Sequence, residues 1–170
     1  MDVPFLDLKS QHAPLKEEIL GLWEEAFDTA SFIGGNHVLK LEEEFARACG
    51  AKYSIALNSG TDALRFIFIA LGLAPGGEVI TVPNTFIATT ESISQAGGKV
   101  VFVDIEPGTY NIDPSKIEAA ITPKTKGIVP VHLYGQCADM DRVKEAASKH
   151  GLWVVEDACQ AHLAEYKGKK

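Results

Sequence analysis

The sequence has 170 residues, 46% of them hydrophobic, a mean hydropathy of +0.03 and a formal charge of −7. That composition supplies a sizeable core and excludes a disordered chain. Acids and bases are scattered without a basic run or an aromatic-interleaved basic patch, which argues against nucleic acid and anionic membrane as partners.

In chain order, Pro4-Phe5-Leu6-Asp7-Leu8 reads as a short extended opening. Leu15, Ile19, Leu22, Trp23 and Phe27 then recur at helical spacing among Glu and Lys, the pattern of an amphipathic helix. Gly34 and Gly35 break it, and Val38, Leu39, Leu41 and Phe45 mark a second helix that stops at Gly50. From there the rhythm changes. Apolar runs of strand length at Tyr53 to Leu57, Val79 to Val82, Val100 to Val103, Gly127 to Leu133 and Leu152 to Val155 alternate with helical stretches. The helices are expected over Thr61 to Leu73, Phe86 to Ala96, Pro114 to Ile121 and Met140 to His150. Such alternation implies an α/β fold with a mostly parallel sheet between helices. The first of these helices is apolar nearly all round from Ala63 to Leu71, which predicts that it is buried. Residues 1–50 form an N-terminal helical segment and 51–170 the α/β part, without repeat or linker. The ending, Lys167-Gly168-Lys169-Lys170, reads as a turn in mid-structure, so the chain looks cut.

Cys49, Cys137 and Cys159 are widely spaced and belong to no metal-ligand pair, so they read as free thiols of a reducing compartment. Met1 and Asp2 open no basic stretch followed by an apolar core. With no secretory signal and no apolar run long enough for a bilayer, the cytoplasm is the expected location.

Candidate site residues gather where strands end, the usual ligand position of open α/β sheets. Asn58-Ser59-Gly60-Thr61 joins a strand to a helix. The first amides of a helix lack internal partners, and Gly60 lets backbone approach an anion, so phosphate fits there. A turn that merely caps the helix explains the same residues. Thr85 and Phe86 follow the next strand; taken alone, Phe86 reads more readily as a core aromatic than as a stacking platform. His132, Tyr134, Gly135 and Gln136 follow another strand, and His132 reads as a satisfied strand-end histidine. Asp157, straight after Val154 and Val155, is costly to bury without a cationic or hydrogen-bonding partner. A protonated pyridine nitrogen is such a partner.

Four blocks together, Pro4 to Leu8, Asn58-Ser59-Gly60-Thr61-Asp62-Ala63-Leu64, Val82-Pro83-Asn84-Thr85-Phe86-Ile87-Ala88-Thr89 and Glu156-Asp157-Ala158-Cys159-Gln160-Ala161-His162, resemble the DegT/DnrJ family of sugar aminotransferases. The resemblance implies part of a large domain of the aspartate aminotransferase type, pyridoxal 5'-phosphate enzyme fold type I, three-layered. It implies that Ser59, Gly60, Thr61 and Asp62 hold the cofactor phosphate, Phe86 stacks on the pyridine ring, Asp157 pairs with the pyridinium nitrogen and Gln160 bonds the ring hydroxyl. The implied reaction moves an amino group from glutamate or glutamine to a keto-sugar attached to a nucleotide. The implied assembly is a homodimer, with partner contacts expected around Ile33-Gly34-Gly35-Asn36.

One part of the family pattern is absent: the lysine that attaches the cofactor is expected beyond Lys170. Lys167, Lys169 and Lys170 cluster in a polar turn, whereas a lysine nucleophile needs a desolvated site. The chain as given is therefore expected to be inactive alone. A dehydratase of the same family, with histidine at the lysine position, and a non-catalytic truncated remnant stay open. A dinucleotide-binding domain ranks far lower, since no GxGxxG follows any strand.

Overall fold

The computed structural model describes residues 3–170; Met1 and Asp2, where the search for a secretory signal begins, lie outside the described residues. The elements are α1 (Leu8–His12), α2 (Lys16–Asp28), α3 (Asn36–Ala48), α4 (Gly60–Ala70), β1 (Glu78–Thr81), α5 (Ala88–Gln95), β2 (Lys99–Phe102), α6 (Ile117–Ala120), β3 (Thr125–Ile128), α7 (Met140–His150) and β4 (Trp153–Val154). They fall into two compact units. One takes α1, α2, α3 as far as Arg47, and Ala51–Ala56; the other takes Ala48–Gly50 and Leu57–Lys170.

In the first unit the expected helices form, but the apolar stripe of α2 does not become a core. Trp23 is 62% and Phe27 73% exposed, and α2 buries no residue among those described. Gly34 and Gly35 both adopt left-handed backbone, φ +66° and +82°, which ends helical periodicity between α2 and α3. The predicted strand Tyr53 to Leu57 is corrected. Its residues form no strand, Tyr53 and Ile55 are exposed, and the Ala56 amide donates to Glu42 Oε1 at 2.8 Å instead of to a neighbouring strand. An apolar run supplies only one side of a pair, and a strand needs the other.

In the second unit four parallel strands lie in the order β2-β1-β3-β4. The predicted strand centres hold within a residue or two, except that the run from Gly127 to Leu133 is interrupted. Pro130 has no amide to give, although its carbonyl accepts the Asp157 amide at 3.0 Å, and pairing resumes at a single Val131–Asp157 bridge.

Side chains alternate across the sheet and fill two cores. Ile80, Val82, Ile117, Ile128, Met140 and Val143 pack on the α6/α7 face; Leu64, Phe68, Val79, Ile93, Val129 and Val155 pack on the α4/α5 face. Asp139 caps the start of α7 through the Arg142 amide, and Gly151, at φ +64°, ends it. On the α4/α5 side, Trp153 stacks on Phe68 with ring centroids 5.7 Å apart and covers Gly127, where a Cβ would sit 2.0 Å from the indole. The all-round burial predicted for α4 is also corrected. Leu64 and Phe68 are buried, while Phe66, Ile67 and Ile69 on the other side are 45%, 40% and 53% exposed. Within its unit the sheet covers only one side of the helix.

Candidate functional site

The strand order puts β1 in the middle: the chain leaves it toward β2 on one side and returns to β3 on the other. Such a reversal opens a crevice at the carboxyl ends of the strands. There the amino end of α4, the turn after β1 and the segment after β4 line a cleft of about 230 Å³. Five of the seven residues singled out from sequence line it: Gly60, Thr61, Phe86, Asp157 and Gln160. Ser59 and Asp62 do not. They form the cap of α4, with Ser59 Oγ accepting the Asp62 amide at 3.1 Å and the Asp62 carboxylate 3.2 Å from Arg65.

Asp157 is only 6% exposed. Its Oδ2 accepts the Thr89 hydroxyl at 2.7 Å and its Oδ1 the Cys159 amide at 3.2 Å. Thr89, itself 1% exposed, is in turn bonded to Thr85 at 2.9 Å. These partners are dipoles rather than a cation, and among the described residues no basic side chain is ion-paired with Asp157. A buried carboxylate with this surrounding and a face on the cleft suits a cationic ligand group.

The opposite pole is the start of α4. By helix geometry the amides of Gly60 and Thr61 have no carbonyl one turn back, and they carry the positive end of the helix dipole. The Ser92 hydroxyl, shared between the Ala88 carbonyl at 2.6 Å and the Thr61 carbonyl at 2.9 Å, ties α5 to the first turn of α4. Gly60 leaves room for Cys159, since a Cβ there would lie 2.9 Å from its Sγ and push the thiol aside. The same thiol is pushed up to about 11 by burial, with the Asp157 charge adding to the shift.

Phe86 is 69% exposed, so the core-aromatic reading fails: the ring stands at the cleft wall. Gln160 Oε1 accepts the Tyr134 amide at 3.0 Å, which leaves its NH2 group as the donor end. His132 is a satisfied histidine, as the sequence suggested. Its Nδ1 accepts the Ala138 amide at 3.1 Å, so Nε2 carries the proton and donates to Glu156 Oε2 at 2.8 Å. That bond holds the half-buried Glu156 carboxyl below its usual range.

Sequence reasoning missed Thr89 as a site residue. Its signal was a second threonine close behind Thr85 where a strand hands over to a helix, Thr89 lying in the first turn of α5.

Residues 14–170 match the model of the DegT/DnrJ/EryC1/StrS aminotransferase family. The chain is 51% identical to a pleiotropic regulatory protein of Geobacillus stearothermophilus, over 99% of this chain and 45% of that protein. It is 49% identical to the UDP-2-acetamido-2-deoxy-3-oxo-D-glucuronate aminotransferase of Pseudomonas aeruginosa, over 99% of this chain and 47% of that protein. The crystal structure of S. venezuelae DesV in complex with a ketimine intermediate superposes with a TM-score of 0.96 at 41% identity, covering 99% of this chain and 45% of DesV. The chain thus spans about half the length of the curated relatives it matches, and its fold is that of the fold type I pyridoxal phosphate aminotransferases. With a buried aspartate and a helix amino end lining one crevice of that fold, this chain belongs to the DegT/DnrJ/EryC1/StrS aminotransferase family.

Proposed function

We propose that the chain is the cofactor-binding front portion of an enzyme that moves an amino group from glutamate or glutamine to a keto-sugar carried on a nucleotide. The cofactor is pyridoxal phosphate. The observation that carries the reading is Asp157, a buried carboxylate that faces the cleft with hydroxyl and amide donors but, among the described residues, no cation. Asp157 holds the protonated ring nitrogen. The amides of Gly60 and Thr61, with the Thr61 hydroxyl, take the phosphate, and Ser59 and Asp62 keep that helix end in shape. Phe86 stacks on the ring, and the free NH2 of Gln160 donates to the ring hydroxyl. When bound, the cofactor serves as an electron sink for a carbon that loses a proton.

Lys167 is not the amine that attaches the cofactor. Lys167 is exposed and bonded to Asp141, which raises its pKa and keeps it an ammonium, the reverse of what a nucleophilic lysine needs. The P. aeruginosa relative, named for a UDP-linked 3-oxo sugar acid, supports the substrate class. The apolar side of α2 and the Ile33–Asn36 turn, with Ile33 97% exposed, support a homodimer that covers them. Three free cysteines suit the cytoplasm, and among the described residues no helix is long and apolar enough to cross a membrane.

The test is amino transfer by the full-length protein, followed by mass spectrometry of the nucleotide sugar with glutamate or glutamine as donor. Asp157→Asn is expected to abolish it; transfer at the parent rate by that variant would refute the assignment.

A further inference from the structure

Strand β4 has only two residues, and Asp157 lies three positions beyond its last one. Something must therefore aim its carboxylate. Along extended backbone, consecutive side chains point to opposite faces of the sheet. Val155 packs in the α4/α5 core and Val154 against the α6/α7 core. Asp157 follows Val155 toward Thr89 of α5, and Glu156 follows Val154 toward α7, where Lys144 lies 4.0 Å from it.

His132 grips this segment twice. Its amide donates to the Asp157 carbonyl at 3.0 Å, and its ring Nε2–H donates to Glu156 Oε2 at 2.8 Å. The ring cannot turn without cost, because it is 3% exposed and its Nδ1 accepts the Ala138 amide. Neither His132 nor Glu156 lines the cleft.

We infer that His132 and Glu156 form a latch that sets the rotation of the backbone at residues 156–157 and so holds the Asp157 carboxylate toward the cofactor ring. His132 is a positioning residue, acting through Glu156 and Asp157 from the far side of the sheet. The inference rests on the proposal that Asp157 holds the cofactor.

Two variants separate the two ring bonds. Gln at position 132 keeps a donor near Nε2 for Glu156, whereas Asn keeps an acceptor near Nδ1 for Ala138 but cannot reach Glu156. The experiment measures pyridoxal phosphate retention by the full-length protein, through its dissociation constant and the absorption maximum of the bound cofactor. His132→Ala, His132→Asn and Glu156→Ala are each expected to raise the dissociation constant about tenfold and move the absorption maximum, the scale of one lost charge-assisted hydrogen bond. His132→Gln and Glu156→Gln, which keep a bond between the two positions, should stay within about threefold of the parent with an unmoved maximum. Glu156 is half-exposed, so its variants keep the test alive if a buried His132 variant fails to fold. Rescue by Asn instead of Gln, or parent-like retention by Glu156→Ala, overturns the latch alone. Failure of the parent protein to retain the cofactor overturns the cofactor reading, and the latch with it.

Discussion

Replacing Thr89 by Val tests how the buried aspartate is held. The two side chains have nearly the same shape, so the change removes one hydroxyl from a position 1% exposed without opening a cavity. What is lost is the 2.7 Å bond to Asp157 Oδ2, together with the Thr85 contact at 2.9 Å. Asp157 would keep the longer bond from the Cys159 amide, 3.2 Å, and the contact with the Cys159 thiol. A hydrogen bond to a charged group contributes about 1.5–3 kcal/mol, and leaving a buried acceptor short of donors is the expensive direction of the change. For a domain of this size that is a fall of roughly 3–12 °C in unfolding temperature. The assay is thermal and urea unfolding of the cofactor-free protein beside Thr89→Ser, which keeps the hydroxyl and should stay close to the parent. Added pyridoxal phosphate should return part of the loss, since a ring cation becomes the partner that the hydroxyl was. Equal stability of the Val and Ser variants would refute the view that this bond holds Asp157.

Other predictions follow from single contacts. Gly127→Ala should destabilise the protein by about 2 kcal/mol or more in urea unfolding, because the new methyl would meet the Trp153 ring at 2.0 Å, and that ring is itself stacked on Phe68. Gly60→Ala should weaken pyridoxal phosphate binding by forcing Cys159 Sγ, 2.9 Å away, into the cleft; combined with Cys159→Ala, the loss should shrink, which a double-mutant cycle measures. Cys159, with its thiol pushed up to about 11, should react with iodoacetamide at pH 8 about a hundredfold more slowly than a thiol at the reference value of 9.0, the ratio of their thiolate fractions. Glu156 has its folded pKa depressed by His132. Its stabilising contribution is therefore fully present above the reference value of 4.5 and is lost as pH falls through the lower folded value, so Glu156→Gln should flatten the acid limb of stability against pH.

What could be read from sequence followed the range of the interactions involved. The bounds of α7 were legible because they are local: a period of 3.6 residues, with Asp139 before it and Gly151 after it. The strand centres were legible because apolar runs of that length between turns have few other uses. The run at Tyr53 to Leu57 looked the same and formed no strand, since pairing depends on residues far along the chain. Likewise the apolar surfaces of α2 and α4 could be recognised, but not what each side meets. In the site, Gly60, Thr61 and Asp157 could be named from local context. The bonds that organise them could not, for Thr89 and Asp157 are 68 residues apart and His132 and Glu156 are 24 apart.

The two ends of the cleft show why neither motif decides its chemistry alone. A capped helix start offers positive partial charge to any anion, and a buried aspartate offers negative charge to any cation. On the proposed assignment, their placement on the walls of one cleft of about 230 Å³ favours a ligand that carries both signs within one small molecule. An aromatic ring exposed at the wall, Phe86, adds a requirement for a flat π face, and the Gln160 NH2 adds one for an acceptor on that face's rim. A phosphorylated, ring-protonated hydroxypyridine meets all four conditions. A simple phosphate meets one, and a nicotinamide dinucleotide, whose ring nitrogen is glycosylated, has no ring N–H to donate to Asp157. On that assignment the specificity comes from the packing of α4 and α5 on the parallel sheet, which brings the start of α4, the turn after β1 and the segment after β4 to one cleft.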